Sequence, residues 1–378
     1  MKKRIGIVGG GQLARMMADP ANKLGFTLTA IDPTPNSPVG QVAQEITADF
    51  NDEKALRKLA KNSDVLTVEI EVVDESGLKK LLEEFNSNNI PVHPSPKTIA
   101  LVQDKLLQKQ FLKKNKIPTP EFVEVTTKKS ISDATKKLGY PLVLKARTGA
   151  YDGRGNALIN NESGIDKALD KLRGRKLYVE KFVPFIKELA VIAARSVKGK
   201  IVTYPVVETM HKNNILHYLL SPAPIDKKIA LKAKDLAIEV MKHLKGAGVF
   251  GIEMFLTKDD NVLINEIAPR VHNSGHHTIE ANKTSQFEQH IRAISGMPLG
   301  STDTVTPAAA MINILGDRTG KSSPKGIEDA EKIPGVKVHI YGKLETKPER
   351  KMGHITAVAD TLDAALENAK QARKLITI

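Results

Sequence analysis

The chain has 378 residues, 57 Lys and Arg against 43 Asp and Glu for a formal charge of +14, and no cysteine. Without thiols there are no thiolate nucleophiles, thiolate metal sites, iron–sulfur clusters or disulfide frameworks. The 41% hydrophobic and 26% charged composition fits a soluble globular protein, and the length suggests two or three domains. Cationic residues are spread along the chain and aromatics make up 4% with no Trp, so stacking platforms for nucleic acid are scarce. No stretch approaches the ~20 apolar residues of a membrane span. Met1-Lys2-Lys3-Arg4 precedes an apolar run that breaks at Gly9, too short for an export signal, so the expected location is the cytoplasm.

The first hundred residues alternate strand and helix. Strands are expected over 4–8, 27–31, 64–68 and 90–92, and helices over 12–24, 55–61 and 75–86. Such a βαβ series implies a parallel sheet covered on both faces. Ser95-Pro96 reads as a helix cap followed by proline in the first turn, opening a helical stretch to 114. Short strands follow at 142–145, 157–159 and 177–183, around a helix at 163–171. A long helix is expected over 225–245. A β-rich tail (308–315, 336–341, 354–358) ends in a helix over 362–374.

Three motifs carry chemistry. Gly9-Gly10-Gly11-Gln12-Leu13-Ala14 satisfies G-x-G-x-x-G/A between a strand and a helix, and Asp32 ends the next strand. That is the setting of a dinucleotide-binding turn, although the same glycines also serve tight packing or another anion. Leu142-Val143-Leu144-Lys145, followed by the loop Tyr151-Asp152-Gly153-Arg154-Gly155-Asn156, reads as a strand lysine beside a phosphate-covering loop, or as an ordinary hairpin. The most specific pattern is Gly251–Leu256 and Val262–Ile267 flanking the turn signal Lys258-Asp259-Asp260-Asn261. A hairpin centred on Asp259-Asp260 sets Glu253 opposite Glu266 on one face. Like charges so placed repel unless a cation lies between them, and Mg²⁺ suits two carboxylates with Asn265 nearby. Arg270 and His272 follow at once, fit to neutralise a transferred phosphate and to move a proton. His276-His277 lacks a spaced third ligand for zinc, and Arg350-Lys351-Met352-Gly353-His354 is a compact basic cluster near the C-terminus.

Together with Glu180–Phe185, Glu188, Tyr204–Glu208 and Ser285–His290, these segments resemble the ATP-grasp ligases, and among them the 5-(carboxyamino)imidazole ribonucleotide synthases of purine biosynthesis, over nearly the whole chain. The resemblance implies α/β and α+β architecture. An N-terminal Rossmann-like domain would span 1–97, an ATP-grasp domain 98–298 with its lid at about 118–185, and a small β-rich domain 299–378. It implies that Lys105 and Lys145 contact the phosphates and that Ala150–Asn156 cover them. Glu180, Lys181, Phe182 and Val183 would line the adenine, Glu188 would bind the ribose, and His211 would lie beside the nucleotide, with Asn265. Glu253 and Glu266 would hold Mg²⁺ (or Mn²⁺). Gln12, Leu13, Glu71, Tyr151, Asp152, Arg270, Asn273, Ser274, Lys343 and Arg350 would meet aminoimidazole ribonucleotide. Asp152, Arg270, His272 and Lys351 would be catalytic.

The implied reaction joins bicarbonate to that amine at the cost of ATP, through carboxyphosphate, in a cytoplasmic homodimer with small-molecule substrates only. Departures from the family pattern are Ala14, Val72, Lys347 and His277, none at a metal or phosphate position. Rival readings are a formate-dependent glycinamide ribonucleotide transformylase, a biotin carboxylase, an NAD(P)-dependent dehydrogenase and a nucleic-acid binder.

Overall fold

The computed structural model describes residues 3–70, 78–149 and 155–378. Four parallel strands open the fold in the order Gln44–Thr47, Phe26–Asp32, Lys3–Val8, Val65–Val68. Alternation sends Ile5, Ile7, Leu28 and Ala30 to one apolar cluster, and Val8, Ile31, Leu66 and Val68 to another. Both faces are therefore buried, as a parallel sheet requires. The first cluster takes Leu13 and Met17 from helix Gln12–Lys23 and continues into Ile192, Tyr204, Phe287 and Ile291, so this sheet shares a core with the body of the molecule. The strand expected at 90–92 reduces to a single parallel bridge from Val92 to Leu66. Conversely, Gln44–Thr47 forms a strand although Gln-Glu-Ile-Thr has no apolar alternation.

The glycine-rich turn is closed by the protein's own carboxylates. Gly10 N–H donates to Asp32 Oδ2 at 2.9 Å, and Gly11 and Leu13 N–H both donate to the carboxylate of Glu69, just beyond strand Val65–Val68. Helix Gln12–Lys23 gets no capping bond from its own N-cap residue, so the buried Glu69 meets its orphan amides and its dipole. A Cβ at Gly11 would come within 2.5 Å of Glu69 Oε1. The position of a dinucleotide pyrophosphate is filled.

Asp104 interrupts the helical stretch expected to 114. Its side chain accepts from Leu106 and Leu107 N–H and starts a second helix, Lys105–Lys114, directly after Pro96–Gln103. A separate antiparallel sheet follows, ordered Phe122–Val125, Leu177–Lys181, Leu142–Ala146, Asn156–Ile159. Helices Lys128–Leu138 and Ile165–Lys171 pack on it through Ile131, Ala134, Leu138 and Ile165.

The centre is one nine-stranded sheet built on the long strands Phe185–Arg195 and Gly248–Thr257. On one face Phe250, Ile252, Met254, Val262, Ile264 and Ile267 pack under Ala233, Ala237, Val240 and Met241 of helix Lys227–Leu244. The sheet does not end with that unit. Strand Ile215–Ser221 pairs with Ala308–Leu315, which pairs with Lys351–Ala359 and then Val336–Ile340, all beneath helix Leu362–Leu375. Hydrogen-bond continuity thus carries the β-rich tail to the central cleft.

We expect Glu69→Ala to leave the Gly11 and Leu13 amides unpaired at a cost of about 1–3 kcal/mol. The urea midpoint should fall with far-UV circular dichroism unchanged, and an unmoved midpoint would refute the capping role.

Candidate active site

The carboxylate pair forms by a route that simple hairpin counting does not describe. Beyond the turn, Leu256 pairs with Val262, Phe255 with Leu263 and Met254 with Ile264, a register that would set Asn265 opposite Glu253 and turn Glu266 to the helix-covered core. A bulge between Glu253 and Met254 inserts Asn265 as the extra residue, and Glu253 pairs with Glu266 after all. The core residues record the shift: Val262 and Ile264 face the helix, and so does Ile267, three positions on. Asn265 and Glu266 therefore both face away from the core, with Glu253.

Lysines balance this pair unequally. Lys105 Nζ donates to Glu266 Oε2 at 2.9 Å. Burial would raise the Glu266 carboxyl, but Lys105, Lys145 and Lys109 outweigh it and hold it below the ordinary range. Glu253 is compensated less. Burial, then the charge of Glu266, pushes its carboxyl well above normal, only partly offset by His211 and Lys105. Beneath them Glu180 is buried between Lys109 Nζ at 3.0 Å and Lys145 Nζ at 2.6 Å, with Tyr178 O–H donating to it at 3.1 Å. Burial works against its charge, yet the two lysines bring Glu180 down to about 2, while burial drops Lys109 to about 8.

Neighbouring strands add two more groups. Glu188, on the same face as Glu253, holds His211 Nδ1 at 2.7 Å. Burial lowers the imidazole's pKa, but the Glu188 contact overcomes this and raises it. After strand Val262–Ala268 the chain passes over Gly251, whose missing Cβ makes room: a methyl there would lie 2.5 Å from His272 Cβ. His272 Nδ1 accepts from Ser274 N–H at 3.3 Å and contacts Ser274 Oγ at 2.8 Å, which leaves the proton on Nε2, 3.6 Å from Glu253 Oε1. Burial, then Arg270 and Lys351, holds the ring neutral, with its pKa well below the ordinary value. Asn273 is half-buried, and both its amide atoms are out of solvent without a hydrogen-bond partner among the described residues.

The tail closes the cleft. Lys343 Nζ donates to Lys351 O at 2.6 Å and lies 5.8 Å from the Tyr341 ring centroid, and Arg350 donates to Glu345 O at 2.8 Å. Behind them the His339 and His354 rings stack at 4.5 Å, with Glu280 Oε1 2.7 Å from His339 Nε2. Face-to-face rings suit packing more than chelation. His277, half of the pair weighed for zinc, has neither ring nitrogen bonded among the described residues.

This arrangement has relatives. Residues 1–103 match the ribonucleotide synthetase preATP-grasp domain, 110–287 the ATP-grasp domain, and 309–368 the phosphoribosylaminoimidazole carboxylase C-terminal domain. The crystal structure of N5-carboxyaminoimidazole ribonucleotide synthetase from Thermotoga maritima is 46% identical, with a TM-score of 0.89 over 100% of this chain and 99% of that one. The chain belongs to the N5-carboxyaminoimidazole ribonucleotide synthase family of ATP-grasp proteins. The Aspergillus clavatus synthase in complex with ADP and 5-aminoimidazole ribonucleotide is 38% identical, with a TM-score of 0.90 over 99% of this chain and 98% of that one. The phosphoribosylaminoimidazole carboxylase of Candida glabrata is 44% identical over 369 residues, 95% of this chain; the chain spans 64% of that relative's length.

Within this ATP-grasp protein, the structure brings Lys105, Lys145, Glu188, His211, Glu253, Asn265, Glu266 and His272 to one cleft. Phe182 is 38% exposed. Glu71, Ala150, Tyr151, Asp152, Gly153 and Arg154 lie outside the described residues. The side chain of Glu180, expected to line the adenine, is spent on lysines. Two residues that sequence reading passed over matter here. Lys109 stands one helical turn from Lys105, an i,i+4 spacing that was a readable signal. Glu69 had none, since its partners lie 56 or more residues away.

Two outcomes are expected. Glu188→Gln should lower the His211 pKa in an NMR titration. Because contact with Glu188 raises that pKa, its stabilisation is full below the unfolded value and fades as pH rises through the folded one. Gly251→Ala should displace His272 and lower turnover ~100-fold with little change in nucleotide affinity; wild-type turnover would refute the close packing.

Proposed function

We propose that this ATP-grasp protein carboxylates the exocyclic amine of 5-aminoimidazole ribonucleotide with bicarbonate, consuming ATP and releasing ADP and phosphate, in purine synthesis. The observation that carries it is the facing pair Glu253 and Glu266 beside Lys105 and Lys145, with Arg270, His272 and Lys351 along the same cleft. The likeness to a synthase complexed with ADP and 5-aminoimidazole ribonucleotide supports the choice of substrates.

The residues present fit a hard divalent cation. Two carboxylates face each other, one of them held above its normal pKa by burial and by its partner's charge, and Asn265 adds an amide oxygen. Glu253 and Glu266, with Asn265, would hold Mg²⁺, whose positive charge would offset the negative charge of the transferred phosphoryl group. The protein's own groups do the rest. Lys105 and Lys145 meet the phosphates, while Glu180 holds Lys145 in place. Bicarbonate oxygen attacks the γ-phosphorus, ADP leaves, and the carboxyphosphate formed lies against Arg270 and Lys351. The amine nitrogen then bonds to its carbon, phosphate departs, and the amine gives up a proton. His272 is neutral with its proton on Nε2, so its role is to donate a hydrogen bond to the anionic intermediate rather than to act as base. Asp152 is the group assigned to the amine proton. Asn273, whose buried amide atoms have no partner among the described residues, is assigned to the ribonucleotide. Water must be kept out because carboxyphosphate hydrolyses readily.

Phosphate release from MgATP should require both aminoimidazole ribonucleotide and bicarbonate. Formate substituting for bicarbonate would move the assignment to the transformylase class. Glu266→Gln should abolish turnover and leave thermal unfolding within a few degrees of wild type, whereas retained activity would remove its metal role.

A further inference from the structure

Gln286, the first residue of helix Gln286–Ser295, is fully buried and makes no contact that sequence motifs announce. Its carboxamide oxygen accepts from His272 N–H at 2.9 Å, and its nitrogen donates to His272 O at 2.7 Å and to His276 Nδ1 at 3.0 Å. Both amide hydrogens are thus used. The two backbone groups of His272 settle which end of the carboxamide is oxygen, because an N–H needs an acceptor and a carbonyl a donor. Gln286 is itself held, its own N–H donating to Thr278 Oγ1 at 2.9 Å while Thr278 donates to Gly275 O at 2.6 Å. Room for it exists because residue 275 is glycine: a Cβ there would lie 2.4 Å from Gln286 Oε1.

With both backbone groups gripped, His272 is confined to an extended conformation, φ −128° and ψ 155°, and its ring is caught between Gly251 and Ser274. The third bond runs to His276, whose ring lies 4.9 Å from that of His354, on the strand that also carries Lys351. One side chain therefore ties the imidazole of one cleft wall to the strand of the other. No other amino acid offers one acceptor and two donors at this reach: glutamate loses both donors, methionine all three bonds, and asparagine falls a methylene short.

We propose that Gln286 is a positioning residue, which locks the His272 backbone so that Nε2–H points into the cleft and keeps that group in register with the Lys351 strand. The inference rests on the functional reading given above for His272.

Steady-state kinetics on Gln286→Glu, Gln286→Asn and Gln286→Met, each checked for a cooperative melt, provide the test. In the folded variants kcat should fall ~100-fold, the loss typical of a misplaced catalytic group, with KM for MgATP unchanged within about twofold. A folded Gln286→Met variant with wild-type kcat overturns the proposal, as does loss of kcat and MgATP affinity in parallel, which marks a merely structural role. Should the variants not fold, imidazole ¹⁵N spectra of the wild-type protein decide: a single tautomer with the proton on Nε2 of His272 is expected, and a mixture of tautomers refutes the lock. If the wild-type protein shows no phosphate release dependent on ribonucleotide and bicarbonate, the functional reading falls, and the tautomer alone decides this inference.

Discussion

Two carboxylates held face to face in a cleft are an unstable arrangement, and much of the surrounding structure answers that instability. Lys105 reaches Glu266 from the start of its helix, and Lys109, one turn on, sits below with Glu180 and Lys145. Glu253 is balanced only in part, by His211 and Lys105. The fold leaves electrostatic strain at the point where a divalent cation would relieve it, and it surrounds that point with groups that favour anions. Asn265 is what makes this possible. Without one inserted residue, register would send Glu266 into an apolar layer that could not accept it.

The glycine-rich turn shows why a local fingerprint does not by itself fix a ligand. Strand, glycines, helix and the distant Asp32 all occur where a dinucleotide-binding turn needs them. Yet the amides that would hold a pyrophosphate are occupied by Glu69, and Asp32 bonds to Gly10 rather than standing free for a ribose. The turn keeps its physical property, an electropositive helix end, and satisfies it internally. The helix that it opens packs Leu13, Ala14 and Met17 into a core shared with Ile192 and Phe287.

Neutral histidines line both walls. Burial, reinforced by neighbouring cations and imidazoles, keeps His272, His276 and His354 uncharged. They act as aromatic surfaces and fixed hydrogen-bonding groups. Because the tail's strands continue the central sheet, Lys351 stands on the same sheet as His211, one of the groups it acts on.

The order of the elements, the parallel character of the N-terminal sheet and the capped helix at Ser95 were legible in the sequence, because each is written in local apolar periodicity and capping residues; the facing glutamates were anticipated too, but from a count that holds only because of the bulge. The family was legible as well, carried by contiguous runs such as Asn265–Gly275. Tertiary structure alone decided the bulge at Asn265, the closure of the glycine turn by Glu69, the diversion of Glu180 to lysines and the grip of Gln286 on His272. Those four depend on competition for buried hydrogen bonds between segments far apart in the chain. Local pattern shows which groups a segment offers; only the assembled fold determines which partner reaches them first and excludes the rest.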